Sequence, residues 1–227
     1  ISSRPTKNGT AISWWPSFLL MLFTGARPDE LLHGIEMARL KGSRIAVTIR
    51  GSKRDAELGK GLAWRRLIFH GDAKVGRLLS KLMEASRQRG QADDPVCIRL
   101  PRIGPSGKAL ASPKASFKKA VTSAARRAGF PGVSPYTCRH AFRERLTREL
   151  MRKHGTTTIT LPIRIEIAKA MGHQSIRSQS AYGGGGYVGP GGCFDIEHSG
   201  ETIRVHDMDF APGMGPRNVP GMDPEMQ

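Results

Sequence analysis

The sequence predicts an α+β domain, mainly helical, with a small antiparallel sheet. Two runs rich in β-branched and aromatic residues, Arg44–Arg50 and Trp64–His70, flank a short glycine-containing stretch, which is the pattern of a hairpin. Helical periodicity dominates the rest, most plainly over residues 72–89, where Val75, Leu78, Leu79 and Leu82 share one face. Ser112-Pro113 and Ser134-Pro135 are both helix starts, a capping hydroxyl followed by Pro in the first turn.

Taken in order, residues 1–12 are polar and lack apolar periodicity, so they read as a linker. Ser13 is placed to cap a helix through Phe23, with Trp14, Phe18 and Leu22 on its apolar side. Pro28 opens a second helix. Asp29 and Glu30 suit its positive end, and Leu31, Leu32, Ile35 and Met37 are its expected core residues. The loop over residues 51–63 contains Gly51, Gly59 and Gly61 and the basic residues Lys53, Arg54 and Lys60. Residues 90–110 read as loop, with Pro95, Pro101 and Pro105. The helix opened at Pro113 is basic and stops at Gly129; the next carries Tyr136, Arg139 and His140; a third covers Ile163 to Met171 and ends at Gly172. Gly183 begins a glycine-rich break, and residues 193–210 read as a small hairpin.

The chain has 227 residues, with 36 Lys and Arg against 19 Asp and Glu, a formal charge of +17. Charge of this size repels itself in a compact state, and nucleic acid is the leading partner for it. The segment after Tyr182 holds two Arg and seven acids, so the preceding body stands at +22. The longest apolar run, Phe18–Phe23, is too short to span a bilayer. The three cysteines, at 97, 138 and 193, and the seven histidines show neither zinc spacing nor a disulfide framework. No metal or cofactor is expected, and the cysteine usage fits a cytoplasmic, DNA-associated protein. Cys138 reads as core.

Three segments stand out: Thr24-Gly25-Ala26-Arg27-Pro28-Asp29-Glu30-Leu31-Leu32, Tyr136-Thr137-Cys138-Arg139-His140-Ala141-Phe142, and Ala170-Met171-Gly172-His173 followed by Tyr182. Two arginines, a histidine and a tyrosine in that order suggest phosphoryl transfer on DNA. Guanidiniums present fixed planar donors to the phosphate oxygens on which charge builds. A phenol can attack and leave a phosphodiester link to the protein. A lysine in a loop can protonate the leaving 5′ oxygen. Each residue also has a plainer use: Arg27 at a solvated helix start, His173 as a helix C-terminal cation, Tyr182 as a loop aromatic.

The three segments resemble the boxes of the tyrosine recombinases, the phage-type integrases. The first is similar to Thr-Gly-x-Arg-x-x-Glu-Leu, the second to His-x-x-Arg-His-x-Phe, the third to Leu-Gly-His with the nucleophile beyond it. The resemblance covers residues 13–182 and implies the catalytic-domain fold of that family. It implies that Arg27 and Arg139 clamp the scissile phosphate, that His173 hydrogen-bonds it, and that Tyr182 forms a 3′-phosphotyrosyl link. The general acid falls on Lys53, with Lys60 as the other candidate. His140 is expected as a buried supporting residue. Tyr136 stands where the family has His or Lys, and packing and phosphate contact are both open to it.

By that resemblance the chain is a site-specific recombinase or integrase of a mobile genetic element, working on double-stranded DNA as a homo-tetramer on two sites. The alternatives are a telomere resolvase with the same chemistry, or a DNA-binding regulator that has lost activity. The family's N-terminal DNA-binding domain is absent before Ile1, so the expectation is a catalytic fragment. Residues 1–12 are then a linker, 13–182 the catalytic domain and 183–227 a glycine-rich acidic tail.

Overall fold

The fold, taken from a computed structural model, is described over residues 13–52, 61–87, 95–104, 106–176 and 194–200. It is mixed α/β, with a small antiparallel sheet set among helices. Helix α1 (Trp15–Thr24) opens with Pro16 in its first turn and Trp14 as its unbonded N-cap, one residue beyond the expected Ser13. It ends at Gly25, whose φ of 63° is the left-handed conformation a glycine C-terminus favours. Helix α2 (Pro28–His33) is short and stops at Gly34.

Strand β1 (Ile35–Leu40) follows at once, so Ile35 and Met37 are buried in a strand, not in the second helix as expected. Their spacing of two fits a strand face, and Gly34 at φ 100° breaks the helical period before them. Strands β2 (Arg44–Arg50) and β3 (Trp64–His70) fall where the sequence places them and pair antiparallel, Val47 opposite Leu67. β4 (Val96–Ile98) lies inside the stretch read as loop and pairs with β1. β5 (Phe194–His198), the described part of the segment read as a hairpin, pairs antiparallel with β3 and adds a fifth strand, in the order β4-β1-β2-β3-β5; residues 193 and 201–210 lie outside the described residues.

One sheet face is apolar and buried. Ile45, Val47 and Ile49 of β2 and Leu67 and Phe69 of β3 join a core with Val75, Leu79 and Met83 of α3 (Lys74–Arg87). The opposite face carries paired polar residues, Arg50 with Glu36 and Arg66 with both Thr48 and Glu197, beside the buried Ala46 and Ile68. Helix α4 (Pro113–Arg127) is capped by Ser112, whose hydroxyl accepts from the Ala115 amide at 3.3 Å. It packs Phe117 on Trp14, ring centroids 5.6 Å apart. Helix α5 (Pro135–Lys153) starts at Ser134, whose amide donates to Thr137 Oγ1 at 3.1 Å. It runs against α1 and against α6 (Leu161–Met171). No helix among the described residues is long and apolar enough to cross a membrane.

Candidate functional site

The first and third segments each end a helix, and the second lies between them in a helix that touches both. Helix α6 closes in a Schellman turn. Gly172 stands at φ 68°, its amide donates to Lys169, and the His173 amide donates to Ala168 at 2.8 Å. This leaves the Met171 carbonyl without an intrahelical donor. Arg139 of α5 supplies one, Nη2 to Met171 O at 2.6 Å, and its Nη1 donates to the carbonyl of Gly25, which ends α1. One guanidinium thus joins the C-termini of two helices, where the peptide dipoles place partial negative charge.

Arg139 Nη2 also lies 2.9 Å from His173 Nε2. A guanidinium can only donate, so Nε2 accepts and the imidazole proton resides on Nδ1. His173 is buried, and burial, then Arg139, Arg27 and Arg65, drive its pKa down to about 2. It is neutral at any working pH.

Glu30, in the first turn of α2, is fully buried. Its carboxylate accepts the Arg27 amide at 2.7 Å and Arg27 Nη1 at 3.2 Å. From β3, Arg65 reaches it with both terminal nitrogens, at 3.0 and 2.9 Å. Burial alone would raise the carboxyl's pKa, but Arg65, Arg139 and Arg27 outweigh it and hold it at about 2. Three guanidiniums therefore gather around one carboxylate and a neutral imidazole, which leaves a surplus of two positive charges. Arg65 and Arg139 are each 1 % exposed, whereas the Arg27 side chain is 13 % exposed and the most accessible of the three.

A third buried arginine supports this arrangement from behind. Arg145, two turns along α5, donates to the Leu22 and Phe23 carbonyls at 3.2 and 3.1 Å and lies over the rings of Phe23 and Phe142. Cys138 is core as expected, and burial pushes its thiol up to about 12.

Of the sequence-predicted site residues, Arg27, Arg139 and His173 come together. Tyr136 lies at the surface, 49 % exposed, at the start of α5. Near it Lys114 of α4 bonds Asp29 at 2.7 Å. That hydrogen bond, then the Asp29 charge and finally Tyr136 raise the lysine's pKa. His140 is exposed, not buried as expected: α5 buries Cys138, Arg139, Ala141 and Phe142, and residue 140 falls on the opposite side with Tyr136 one turn earlier. Lys53, Lys60 and Tyr182 lie outside the described residues. The described stem of the Lys53–Lys60 loop does reach the site, since the Gly51 amide donates to Ala63 O and the Leu62 amide to Gly172 O.

Sequence reasoning missed Arg65 and gave Glu30 only a helix-end role. The signal for Arg65 was present: it sits at period two with Leu67 and Phe69 and so shares their buried face. Among the described residues, no group of three or more His, Cys, Asp or Glu is placed to hold a metal ion.

No family model matches the chain, and no curated protein matches it. Among solved structures it is similar to the integrase of transposon Tn1549 in complex with a circular intermediate DNA. That match has a TM-score of 0.40 and 14 % identity, over 76 % of this chain and 54 % of that one. The same integrase in complex with transposon right end DNA matches with a TM-score of 0.40 and 14 % identity, over 77 % and 55 % of the two chains. The chain spans about half the length of these solved chains.

Proposed function

We propose that the chain is the catalytic part of a tyrosine recombinase, a site-specific enzyme that cleaves and rejoins DNA strands through a 3′-phosphotyrosyl intermediate. One observation carries the reading. Three segments, each resembling a box of that family and spread between Thr24 and His173, meet through one side chain: Arg139 bonds the Gly25 and Met171 carbonyls and His173. The surplus positive charge suits a single phosphodiester, which brings one negative charge in the ground state and gathers more as the fifth bond to phosphorus forms.

In the proposed reaction Arg27, the most exposed of the three guanidiniums, meets the phosphate first. Arg139 contributes its charge from below and takes part directly by exchanging a carbonyl partner for a phosphate oxygen. The Tyr182 hydroxyl gives up its proton to water as its oxygen bonds to phosphorus, the bond to the 5′ oxygen breaks, and that oxygen takes a proton from Lys53 or Lys60. The link to tyrosine conserves the phosphodiester, so a 5′ hydroxyl can reverse the step and no nucleotide is consumed. Neutral His173 offers a hydrogen bond without repelling the guanidiniums. Action on double-stranded DNA, assembly as a tetramer on two sites and service to a mobile element belong to the same proposal.

A duplex library of randomised sequence, each member carrying one nick, tests it. The wild-type chain should leave a covalent protein–DNA adduct that survives denaturing electrophoresis, and Tyr182→Phe should leave none. Absence of an adduct with wild type, or equal adducts with both, would falsify the enzyme reading.

A further inference from the structure

We propose that Arg65, which lies in none of the three motif segments, is a positioning residue of this site; the inference rests on the recombinase reading. Two contacts carry it. The first is the two-pronged pair with Glu30 at 3.0 and 2.9 Å. Glu30 is the group that holds Arg27, through both the Arg27 backbone amide and Nη1. With Arg65 gone, that buried carboxylate would be free to rotate toward Arg27 or Arg139, and the Arg27 guanidinium would turn with it.

The second contact is with the Gly-His turn. A Cβ added to Gly172 would lie 2.6 Å from Arg65 Nη1 and 3.3 Å from its Cζ. The tip of a free arginine could swing aside, but this one is fixed by Glu30 and is 1 % exposed. Arg65 is therefore the surface against which Gly172 rests, and the turn it supports delivers His173 to Arg139. The same guanidinium touches the first box through Glu30 and the third through Gly172. It sits on the strand leading out of the loop that holds Lys53 and Lys60, whose stem bonds Gly172 through Leu62. Arg65 thereby joins β3 to two of the three motif segments while itself buried.

A lysine in its place would keep one positive charge but lose the fork that engages both carboxylate oxygens. The experiment measures, for the full chain, the affinity for a nicked duplex selected from the library and the rate of adduct formation at saturating DNA. Arg65→Lys and Arg65→Met are compared with wild type, and the folded fraction of each is read from its denaturation curve. Expected is DNA affinity within about twofold of wild type, because exposed basic residues dominate it. The adduct rate per folded molecule should fall roughly ten- to hundredfold, as a displaced reacting group implies, with lysine recovering part of what methionine loses. Rates per folded molecule equal to wild type in both variants, including the case where activity falls only in step with unfolding, would overturn the inference. A wild-type chain that forms no adduct overturns the recombinase reading and this inference with it.

Discussion

At the scale of single residues, the site is defined by charges that are kept and one that is refused. His173 refuses its proton: in the folded chain its pKa is driven from an ordinary 6.5 to about 2. The unfolded chain therefore binds a proton first as pH falls, and the stability His173 contributes is complete above about 6.5 and lost below it. Glu30 acts with the same sign lower down, since its pKa falls from 4.5 to about 2, so its contribution is complete above 4.5 and lost below. Denaturant unfolding followed from pH 8 to pH 4 should show a loss of up to about 1.4 kcal/mol per pH unit from His173 once pH drops under 6.5, steepening below 4.5 as Glu30 joins. His173→Gln should flatten the upper part of that profile and leave the lower part; an unchanged upper part would count against a buried neutral imidazole. Much of this was legible in the sequence, because Arg27, Arg139 and His173 sit in recognisable spacings. Arg65 was hidden among ordinary strand residues, and its importance comes from depth, which local pattern reports only through the shared face with Leu67 and Phe69.

At the scale of elements, α5 is the part that assembles the site, and its contact with the end of α1 is the tightest test of it. Gly25 ends α1 at φ 63°, and a Cβ there would lie 2.4 Å from the Phe142 ring. Gly129 also has positive φ, 83°, but a Cβ there meets nothing within 4 Å. Gly129→Ala should therefore cost about 1 kcal/mol from backbone strain. Gly25→Ala should cost about 1–3 kcal/mol more, because it also overpacks against a buried ring. Equal costs by chemical denaturation would mean that Phe142 yields freely. Elements with strong local signals were the legible ones: β2 and β3 by composition, α4 and α5 by Ser-Pro starts, α6 by its terminal glycine. β1 was absorbed into a helix because Leu31, Leu32 and Ile35 happen to fit a helical period across Gly34. β4 is three residues long, too short to show a period, and exists because β1 offers it an edge.

At the scale of the whole molecule, charge is the organising quantity. Residues 201–227 hold two Arg and five acids, and the chain before them holds 34 basic and 14 acidic residues. In the proposed function, an acidic segment attached to so basic a body would compete with DNA for the same field. Removing residues 201–227, and not the whole segment after Tyr182, keeps β5 in the sheet and isolates this effect. DNA binding by the shortened chain should tighten at low salt, with the difference fading as salt rises; weaker or unchanged binding at low salt would refute the competition. The pairing of β5 with β3 has a further consequence for Tyr182. The chain is anchored at Ile176, buried against Leu62 and Ala168, and again at Phe194 in the sheet. Tyr182 lies six residues past the first anchor and twelve before the second, so its Cα cannot stand more than about 20 Å from Ile176. For the proposed reaction, the two anchors, fixed in the core and the sheet of the same chain, set which phosphates the tyrosine can reach.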